Sequence, residues 1–382
     1  MEMEFQRILD LRALLGRKSF FLFGPRATGK TTLIRKQIPE ALIFDLLDDE
    51  VYERLLRRPK VIEESLTPET RTVVIDEIQR LPKLLHEVQR LMRSRERVFL
   101  LTGSSARTLR RGGANLLGGR AWEAELHPLT SREIPAFDLL RYLNVGGLPA
   151  IYLADSPEEE LKSYVSLYLR EEVFAEALVR KEEYFLRFLD VMALSNGEEL
   201  HFQGLSNDSG VQARTIQNYV QILEDTLIGF QVPPFLATKK RKAIARSKFF
   251  FFDLGVVNRL ARRSGIVEGG ELFGKAFEHF IARELKSYLS YRRRDHDLSY
   301  WRSTSGFEVD FVVGREAAIE VKSSDLVVEG HLRGLRALRE EGLWRKYLVV
   351  SRDPARRRLD GIEILPWTEF LRLLWKDQLI GP

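Results

Sequence analysis

The chain has 382 residues, of which 44% are hydrophobic and 30% charged, and its formal net charge is +5. This length predicts two or three globular domains, and the mildly basic balance is compatible with an anionic partner. Cysteine is absent, which excludes disulfides, cysteine-based zinc sites and a thiol nucleophile. No apolar run approaches the length of a membrane-spanning helix, and the first residues lack a signal-peptide pattern, so we expect a cytoplasmic protein.

The first predicted strand, residues 20–23, leads into the pattern G-x-x-x-x-G-K-T at residues 24–31 and then into a helical stretch. In this context the pattern binds phosphate through backbone N–H groups and the helix N-terminus. We therefore predict an ATP site in which Lys30 reaches the β- and γ-phosphates and Thr31 holds Mg²⁺. The predicted nucleotide contacts are Gly24, Pro25, Arg26, Ala27, Thr28, Gly29, Lys30, Thr31 and Thr32.

The second predicted strand, residues 73–75, is apolar and ends in two carboxylates, Asp76 and Glu77. Asp76 is expected to hold Mg²⁺ through water. Glu77 lies next to it, where it can polarise the attacking water as a general base. The pair therefore favours ATP hydrolysis over simple storage of the nucleotide.

A third apolar strand, residues 98–101, ends in a hydroxyl-rich segment that contains Thr102 and Ser104. Ligands of parallel sheets bind at the carboxyl ends of the strands. We therefore predict that Thr102 or Ser104 senses the γ-phosphate between Lys30 and Glu77. A plain serine-rich turn is the alternative.

Several arginines follow the third strand, and one of them, Arg120, directly precedes another predicted strand at residues 121–126. An arginine from a neighbouring subunit can neutralise the charge that develops on the γ-phosphate. We predict this role for Arg120, with Arg107 as the second candidate. The alternative is a solvated surface arginine.

The middle of the chain is predicted to contain a helical connector at residues 158–194 and a winged helix at residues 199–233, with a turn and helix cap at 206–210. One face of the expected second helix is apolar: Ile216, Tyr219, Val220 and Leu223. The other face carries side chains suited to DNA contact: Arg214, Gln217, Asn218 and Gln221. Packing against protein is the alternative use of such a module.

Two basic clusters lie further along the chain, one at residues 239–242 with Arg246 and Lys248, the other at residues 292–294. Such clusters neutralise phosphates and make binding sensitive to salt. Solvated loops are the alternative for each cluster.

A second chemical site is predicted in the C-terminal part. Residues 307–313 alternate with period two, residues 314–316 form a turn, and residues 317–322 form a second strand. In a hairpin, Asp310, Glu320 and Lys322 can lie on one side of the sheet. Asp310 and Glu320 could coordinate Mg²⁺ or Mn²⁺, and Lys322 could position water or stabilise a pentacovalent phosphate.

The phosphate-binding loop, together with residues 73–79, 101–105, 119–120 and 127–130, resembles a bacterial and archaeal branch of the AAA-type P-loop ATPases. Residues 146–149 and 275–278 are further points of similarity. The spacing of Asp310, Glu320 and Lys322 resembles the D…(D/E)-x-K signature of restriction-endonuclease-like nucleases. In those nucleases an acidic residue on an earlier helix completes the site, a role that fits Glu278. Val309 stands where the signature has proline.

The resemblance implies an α/β protein with an AAA-type ATPase domain at residues 1–145, a helical connector and winged helix at 146–235, and a restriction-endonuclease-like domain at 236–382. It also implies a homo-oligomer, with a hexamer favoured, that acts on duplex, forked or branched DNA. Two alternatives stay open. One is an ATP-gated regulator or scaffold whose nuclease-like domain is inactive, and the other is a DNA motor without cleavage.

Overall fold

A computed structural model describes residues 5–94, 97–105, 117–169, 182–263 and 265–381. The N-terminal part contains a five-stranded, wholly parallel sheet with the order β2-β3-β4-β1-β5. The strands are β1 (Ser19–Phe23), β2 (Leu42–Asp45), β3 (Thr72–Asp76), β4 (Val98–Gly103) and β5 (Ala121–Glu125). Because all five run the same way, the segments that follow β1, β3 and β4 meet at one edge of the sheet.

Both faces of this sheet are covered, as its continuous apolar strands predict. Alternate residues of β1 enter different cores: Phe21 and Phe23 on one face, Phe20 and Leu22 on the other. The α-helices of this part are Leu11–Leu15, Lys30–Gln37, Asp49–Arg57, Val61–Glu64 and Leu84–Leu91. Short 3-10 turns occupy Ile78–Arg80, Met92–Ser94 and Leu117–Gly119.

The middle part is mainly helical and has its own apolar core. Its helices are Leu139–Val145, Pro149–Leu153, Pro157–Ser163, a π-helix at Tyr164–Leu169, Glu182–Leu194, Phe202–Ser209, Ala213–Asp225 and Leu254–Leu260. Strands β6 (Gly229–Val232) and β7 (Lys248–Phe251) form an antiparallel pair.

One local expectation in the middle part was wrong in part. Residues 206–209 belong to the helix Phe202–Ser209 rather than to a turn, whereas Gly210 is the C-cap of that helix. The Ser209 hydroxyl donates to the Leu205 carbonyl one helical turn earlier, so this polar residue stays in the helix. Only Gly210, at φ 69°, leaves the helical conformation. The predicted apolar face of the next helix is buried as expected.

The C-terminal part contains a six-stranded mixed sheet with the order β12-β13-β11-β10-β9-β8. The strands are β8 (Leu298–Arg302), β9 (Glu308–Val313), β10 (Ala317–Val321), β11 (Lys346–Ser351), β12 (Arg357–Leu359) and β13 (Ile362–Pro366). The predicted hairpin is present, since β9 and β10 pair antiparallel with Ala317 opposite Val313. The remaining helices are Glu271–Tyr291, Arg333–Arg339 and Trp367–Trp375, with a 3-10 turn at Glu329–Leu332.

The helix Glu271–Tyr291, called the long helix below, has 21 residues and therefore extends about 30 Å. Its apolar side packs on one face of the six-stranded sheet, while Arg333–Arg339 packs on the other. The C-terminal end of the long helix also contacts β5 of the parallel sheet. Among the described residues, no helix has both the length and the apolar character that crossing a bilayer requires.

Candidate functional site

The phosphate-binding loop curls tightly between β1 and the helix Lys30–Gln37. Gly29 has φ 89°, and a Cβ on Gly24 would lie 2.5 Å from the Leu126 carbonyl oxygen, so both positions call for glycine. The Thr28 hydroxyl closes the turn by donating to the Pro25 carbonyl at 2.8 Å. The backbone N–H groups of such a turn can converge on phosphate.

Lys30 is buried within this curl. Its Nζ donates to the Gly24 carbonyl at 2.7 Å and lies 3.3 Å from the Pro25 carbonyl. Burial lowers the pKa of Lys30, while the Glu77 and Asp76 carboxylates oppose that effect. The loop carbonyls of Gly24 and Pro25 thus hold the ammonium inside the loop, where a bound phosphate chain would lie.

The predicted magnesium residues come together at the ends of adjacent strands. The Thr31 hydroxyl donates to Asp76 Oδ2 at 2.9 Å, and the Thr102 hydroxyl donates to the other oxygen, Oδ1. A hydroxyl beside a buried carboxylate is the hard-oxygen donor set that Mg²⁺ accepts, with waters and phosphate oxygens completing its shell. Thr31 and Asp76 therefore fit the metal that the sequence predicts.

Glu77 follows Asp76 in an unusual conformation. Its φ is 58°, and its backbone N–H donates to the Thr102 hydroxyl at 3.1 Å. Its carboxylate accepts a hydrogen bond from Gln79 Nε2, which also lies 3.1 Å from the Ser104 hydroxyl. Of the two predicted sensor residues, Thr102 thus contacts Asp76 and Glu77 directly, whereas Ser104 is connected to Glu77 through Gln79.

Gln79 and Arg7 are site residues that the sequence reasoning missed. Gln79 could have been found from its place two residues after the predicted general base, within the turn Ile78–Arg80. No sequence motif marks Arg7, because the residues that it hydrogen-bonds lie 21 to 284 positions away along the chain.

Arg7 joins the phosphate-binding loop to the long helix. Its guanidinium donates to the Thr28 carbonyl at 2.8 Å, to Glu133 Oε1 at 2.9 Å and to the Tyr291 hydroxyl at 3.0 Å. It also donates to the His127 carbonyl. Its side chain is buried, so this one cation connects the loop to the last residue of the long helix.

Arg120 lies away from this edge of the sheet. It is exposed and directly precedes β5, so it is at the amino end of a strand whose carboxyl end faces the loop side. This position does not bring Arg120 to the nucleotide site of its own chain. Arg107 lies outside the described residues.

The second predicted site forms around the β9–β10 hairpin. Asp310 Oδ2 accepts a hydrogen bond from the Val321 N–H at 2.7 Å, and Lys322 Nζ lies 2.6 Å from Glu320 Oε1. Burial, followed by the charge of Asp310, raises the pKa of Glu320 well above its usual value. Glu320 Oε2 has no hydrogen-bond partner within the described part of the chain.

Glu278 reaches the same region from the long helix but pairs with a lysine. Its Oε1 lies 3.0 Å from Lys248 Nζ, and burial raises the pKa of Glu278 to about 7 against the opposing effect of Lys248. Lys248 also lies 2.7 Å from Glu308 and 4.0 Å from Asp310. Although burial disfavours its charge, Glu278, Asp310 and Glu308 together hold the pKa of Lys248 above its usual range.

The second site contains lysine ammonium groups as well as carboxylates that could bind a metal. Asp310 and Glu320 supply hard oxygens, and the unpartnered Glu320 oxygen is available to a cation. The described residues contain no group of three or more acidic or histidine side chains arranged as metal ligands. Lys248 and Glu308 were not foreseen as site residues.

The two basic clusters are only partly free to meet a phosphate. Lys248 is buried among carboxylates, so its assignment to a phosphate-binding cluster was wrong. Arg292 and Arg294 both pair with Asp377, and Arg293 stacks over Trp122. Exposed side chains do remain in the first cluster: Lys239, Lys240, Lys242 and Arg246.

The helix Ala213–Asp225 presents its predicted polar face to solvent. All four side chains proposed for DNA contact are exposed: Arg214, Gln217, Asn218 and Gln221. The carbonyl of Asp225, at the end of this helix, accepts from the Ser105 hydroxyl at 3.2 Å. The helix therefore contacts the segment that follows β4 and carries Ser104.

Comparison with known families divides the chain into three matched stretches. Residues 16–135 match the family described as AAA domain, and residues 136–266 and 273–370 match two families described as domains of unknown function, DUF8612 and DUF4143.

Uncharacterized proteins from three organisms match most of the chain. The Mycobacterium tuberculosis protein is 28% identical over 328 residues, which cover 81% of this chain and 71% of that protein. The Methanocaldococcus jannaschii protein is 26% identical, covering 78% of this chain and 73% of that protein. The Haemophilus influenzae protein is 23% identical, with coverage of 78% and 76%.

Two solved structures show local likeness. The Aeropyrum pernix ORC1 protein in complex with DNA matches with a TM-score of 0.25 and 15% identity, over 67% of this chain and 94% of that chain. Domain III of the Thermotoga maritima replication initiation protein DnaA matches with a TM-score of 0.22 and 14% identity, over 55% and 84%. Residues 16–135 thus match the AAA domain family and contain the tight phosphate-binding loop described above.

Proposed function

We propose that this protein hydrolyses ATP at the P-loop and uses the cycle to act on DNA through its middle and C-terminal parts. The observation that carries the ATPase proposal is the convergence of Lys30, Thr31, Asp76 and Glu77 at one sheet edge. The hydrogen bond from Gln79 to Glu77 supports it, because this bond orients the carboxylate that would act as base.

In the proposed reaction the loop N–H groups and Lys30 bind the phosphates, and Thr31 and Asp76 would hold Mg²⁺. That ion would supply charge neutralisation along the phosphate chain. Glu77 accepts a proton from water as the water oxygen bonds to the γ-phosphorus and the bridge to the β-phosphate breaks. ADP and inorganic phosphate are the products.

A cavity beside the loop supports binding of the nucleoside. It measures about 1150 Å³, and its lining includes Leu33 after the loop, Phe5 and Ile8, together with charged side chains such as Lys36 and Arg132. Apolar walls that flank a phosphate site are suited to a purine ring. We place the base of ATP in this cavity.

The ATPase proposal is tested with Lys30→Ala and Glu77→Gln. We expect Lys30→Ala to lose nucleotide affinity and turnover. Glu77→Gln should keep nucleotide affinity while its turnover falls about 100-fold or more, as expected when a general base is removed. Lys60→Ala and Glu50→Gln, at exposed positions of the same domain, are the controls. Wild-type turnover in both site variants would contradict the assignment.

The DNA part of the proposal rests on two further observations. The polar face of Ala213–Asp225 is exposed, as a winged helix that contacts duplex, forked or branched DNA requires. Asp310, Glu320 and Lys322 share one hairpin, as in a restriction-endonuclease-like site. Asp310 and Glu320 would hold Mg²⁺ or Mn²⁺, and Lys322 would stabilise charge at the phosphate being cleaved.

Cleavage is tested on single-stranded, duplex, forked and four-way-junction DNA with Mg²⁺ or Mn²⁺, with and without ATP. Metal-dependent cutting by the wild type that is lost in Asp310→Ala would support a nuclease. Dependence of that cutting on ATP would link it to the P-loop. If the wild type cuts no substrate, the protein is a DNA motor or an ATP-gated scaffold.

The scaffold alternative has one specific observation in its favour. Lys248 neutralises part of the negative charge of Glu278 and Glu308, so the C-terminal domain can be stable without a metal. A protein of this kind would turn over ATP slowly, and DNA would not change the rate. Measuring the ATPase rate with and without each DNA substrate separates it from the main proposal.

A further inference from the structure

Two tyrosines of the middle part contact the phosphate-binding loop. The Tyr164 hydroxyl donates to the Arg26 carbonyl at 3.2 Å, and the Arg26 N–H donates to the Tyr168 hydroxyl at 3.3 Å. The Arg26 guanidinium also lies over the Tyr168 ring, 5.6 Å from its centre. Both hydroxyls therefore bind the backbone of the same loop residue.

The tyrosines themselves are held by packing outside the loop. They lie four residues apart in the π-helix Tyr164–Leu169, a helix type that is rare and is found mostly at functional sites. Their ring centroids are 4.9 Å apart, and the Tyr164 ring lies 6.4 Å from the ring of Phe252. Tyr168 and Phe252 both belong to the apolar core of the middle part. The middle part therefore sets the position of both hydroxyls.

These hydrogen bonds determine which groups of the loop face a bound phosphate. The peptide units on both sides of Arg26 are trans, so the carbonyl and the N–H of each unit point in opposite directions. Because Arg26 turns its own N–H and carbonyl to the tyrosines, the Pro25 carbonyl and the Ala27 N–H point the other way. The Pro25 carbonyl lies 3.3 Å from Lys30 Nζ and accepts from the Thr28 hydroxyl. The Ala27 N–H is therefore on the side of Lys30.

Ala27 needs this support because of its backbone conformation. Its φ is 60°, in the left-handed region that residues other than glycine seldom occupy. A strained residue persists only where its surroundings fix it. The Tyr164 hydroxyl binds the carbonyl of the peptide unit whose N–H belongs to Ala27, and rotation of that unit is what would change φ of Ala27.

We propose that Tyr164 and Tyr168 are positioning residues for the nucleotide, which hold the Arg26 backbone so that the Ala27 N–H donates to the diphosphate group. The inference deepens the proposed ATPase function and rests on it for the identity of the ligand. It means that the loop at residues 24–31 is complete as a phosphate site only together with the π-helix of the middle part.

The first test measures the affinity of the full-length chain for Mg·ADP by isothermal titration calorimetry. We expect Tyr164→Phe to weaken binding about 3- to 10-fold, as the loss of one hydrogen bond would. The KM for ATP should rise by the same factor while kcat stays unchanged, because the Ala27 N–H would bind ground state and transition state alike. Tyr347→Phe is the matched control, since this hydroxyl has no hydrogen-bond partner within the described part of the chain.

A double variant separates positioning from a general loss of stability. Ala27→Gly removes the penalty for the left-handed conformation. In the Ala27→Gly background, Tyr164→Phe should therefore weaken binding of Mg·ADP by less than about 2-fold. A tyrosine that only stabilised the fold would lower the Tm and cause the same loss of affinity in both backgrounds, and that result would contradict the inference.

A third readout needs no nucleotide. Tyr168→Phe removes the acceptor of the Arg26 N–H, so early hydrogen–deuterium exchange of a peptide covering residues 24–31 should rise by about one amide. Unchanged exchange would overturn the role of Tyr168.

The affinities also separate this inference from the proposed function. Tighter binding of Mg·ADP in Tyr164→Phe or Tyr168→Phe would overturn the inference, since the hydroxyls would then block the loop. Equal affinity of the wild type and Tyr164→Phe would overturn it too, while leaving the ATPase proposal intact. A wild type that binds no Mg·ADP would contradict the ATPase proposal itself.

Discussion

Gln79 holds the proposed catalytic carboxylate from a position that lies outside both nucleotide motifs. Its amide bridges Glu77 and the Ser104 hydroxyl at the end of β4. Glu77 has a left-handed backbone conformation, and the hydrogen bond from Gln79 orients its carboxylate. The residue that would accept the proton and the residue that would sense the γ-phosphate thus share one donor.

Replacing Gln79 with leucine should therefore reduce ATP turnover without loss of nucleotide affinity. We expect kcat to fall about 10- to 100-fold, less than for removal of the base itself. Steady-state ATPase rates and nucleotide binding measured on the same preparations check this. Gln212→Leu, at an exposed position, is the control. A weaker nucleotide affinity with unchanged kcat would contradict the role of Gln79.

His279 gives the fold a specific pH dependence. It is buried on the long helix, with Nε2 2.7 Å from the Phe251 carbonyl oxygen and Nδ1 3.1 Å from Asn196. Burial lowers the pKa of His279 to about 3. Between that value and about 6.5 the unfolded chain binds a proton that the folded chain does not, so the free energy of unfolding falls as the pH falls through this window.

His279→Gln should flatten the pH dependence between about pH 6.5 and 3 by up to about 1.4 kcal/mol per pH unit. Urea unfolding at several pH values measures the slope. The substitution also lowers stability at pH 7, so only the slope tests the argument. His86→Gln, at an exposed position, is the matched control, and an identical slope in His279→Gln and the wild type would refute the argument.

At the scale of elements, the carboxylate of Asp253 joins the segment at residues 146–149 to the start of the helix Leu254–Leu260. Asp253 Oδ1 accepts from the Val256 N–H at 3.1 Å and caps that helix, while Oδ2 accepts from the Gly147 N–H at 2.7 Å. Gly146 has φ 78°, and a Cβ there would overlap the Asp253 carboxylate. Gly146 and Gly147 therefore form a close contact with the start of the helix Leu254–Leu260.

Gly146→Ala should lower the free energy of unfolding by more than the cost of backbone strain alone. Gly265→Ala is the control, since Gly265 has φ 66° but no atom within 4 Å of an added Cβ. Strain costs of order 1–3 kcal/mol at each position, and only Gly146 adds a clash with Asp253. Thermal unfolding should show the larger loss of Tm for Gly146→Ala. Equal losses would mean that the Asp253 contact relaxes freely.

The sequence predicted those helices, strands and turns whose residue pattern lies within one short segment of the chain. Period-two alternation identified the β9–β10 hairpin, and the order of an apolar strand, two glycines and a helix identified the phosphate-binding loop. The position of Asp76 beside Thr31 also followed, because carboxyl ends of parallel strands meet. The turn expected at residues 206–209 is absent because polar composition alone does not end a helix. Ser209 bonds back to the Leu205 carbonyl, and the helix ends only at Gly210.

Contacts between distant segments could not be predicted. Lys248 looked like part of a surface cluster, yet it pairs with carboxylates 30 and 60 residues further along the chain. Arg7 lies in a short N-terminal stretch with no motif, and its burial results from four partners that only the tertiary fold brings together. Sequence patterns report periodicity and local composition, and neither encodes such pairings.

At the scale of the whole molecule, Arg120 is exposed at the edge of the parallel sheet that lies away from the P-loop. A side chain at this position can contact only a nucleotide that is bound to another subunit. The proposed homo-oligomer, with a hexamer favoured, gives Arg120 that use. A monomer would leave it as a solvated surface residue.

Mixing variants tests this use of Arg120. Arg120→Ala and Glu77→Gln should each be inactive alone and regain ATP turnover when mixed, since Glu77→Gln subunits supply Arg120 to intact sites in Arg120→Ala subunits. Turnover as a function of the mixing ratio is the measurement. Arg57→Ala, another exposed arginine of the same domain, is the control. Full activity of Arg120→Ala alone would exclude the arginine from the reaction.

The bond between Arg7 and Tyr291 limits how far this chain can be dissected. A fragment that stops before the long helix would keep every nucleotide motif but lose the phenol that Arg7 contacts beside the Thr28 carbonyl. The N-terminal part on its own would therefore carry a loosened phosphate-binding loop, and any ATP turnover it shows would differ from that of the intact protein. Exchange of the C-terminal domain between relatives should succeed only when the N-terminal stretch around Arg7 is exchanged with it.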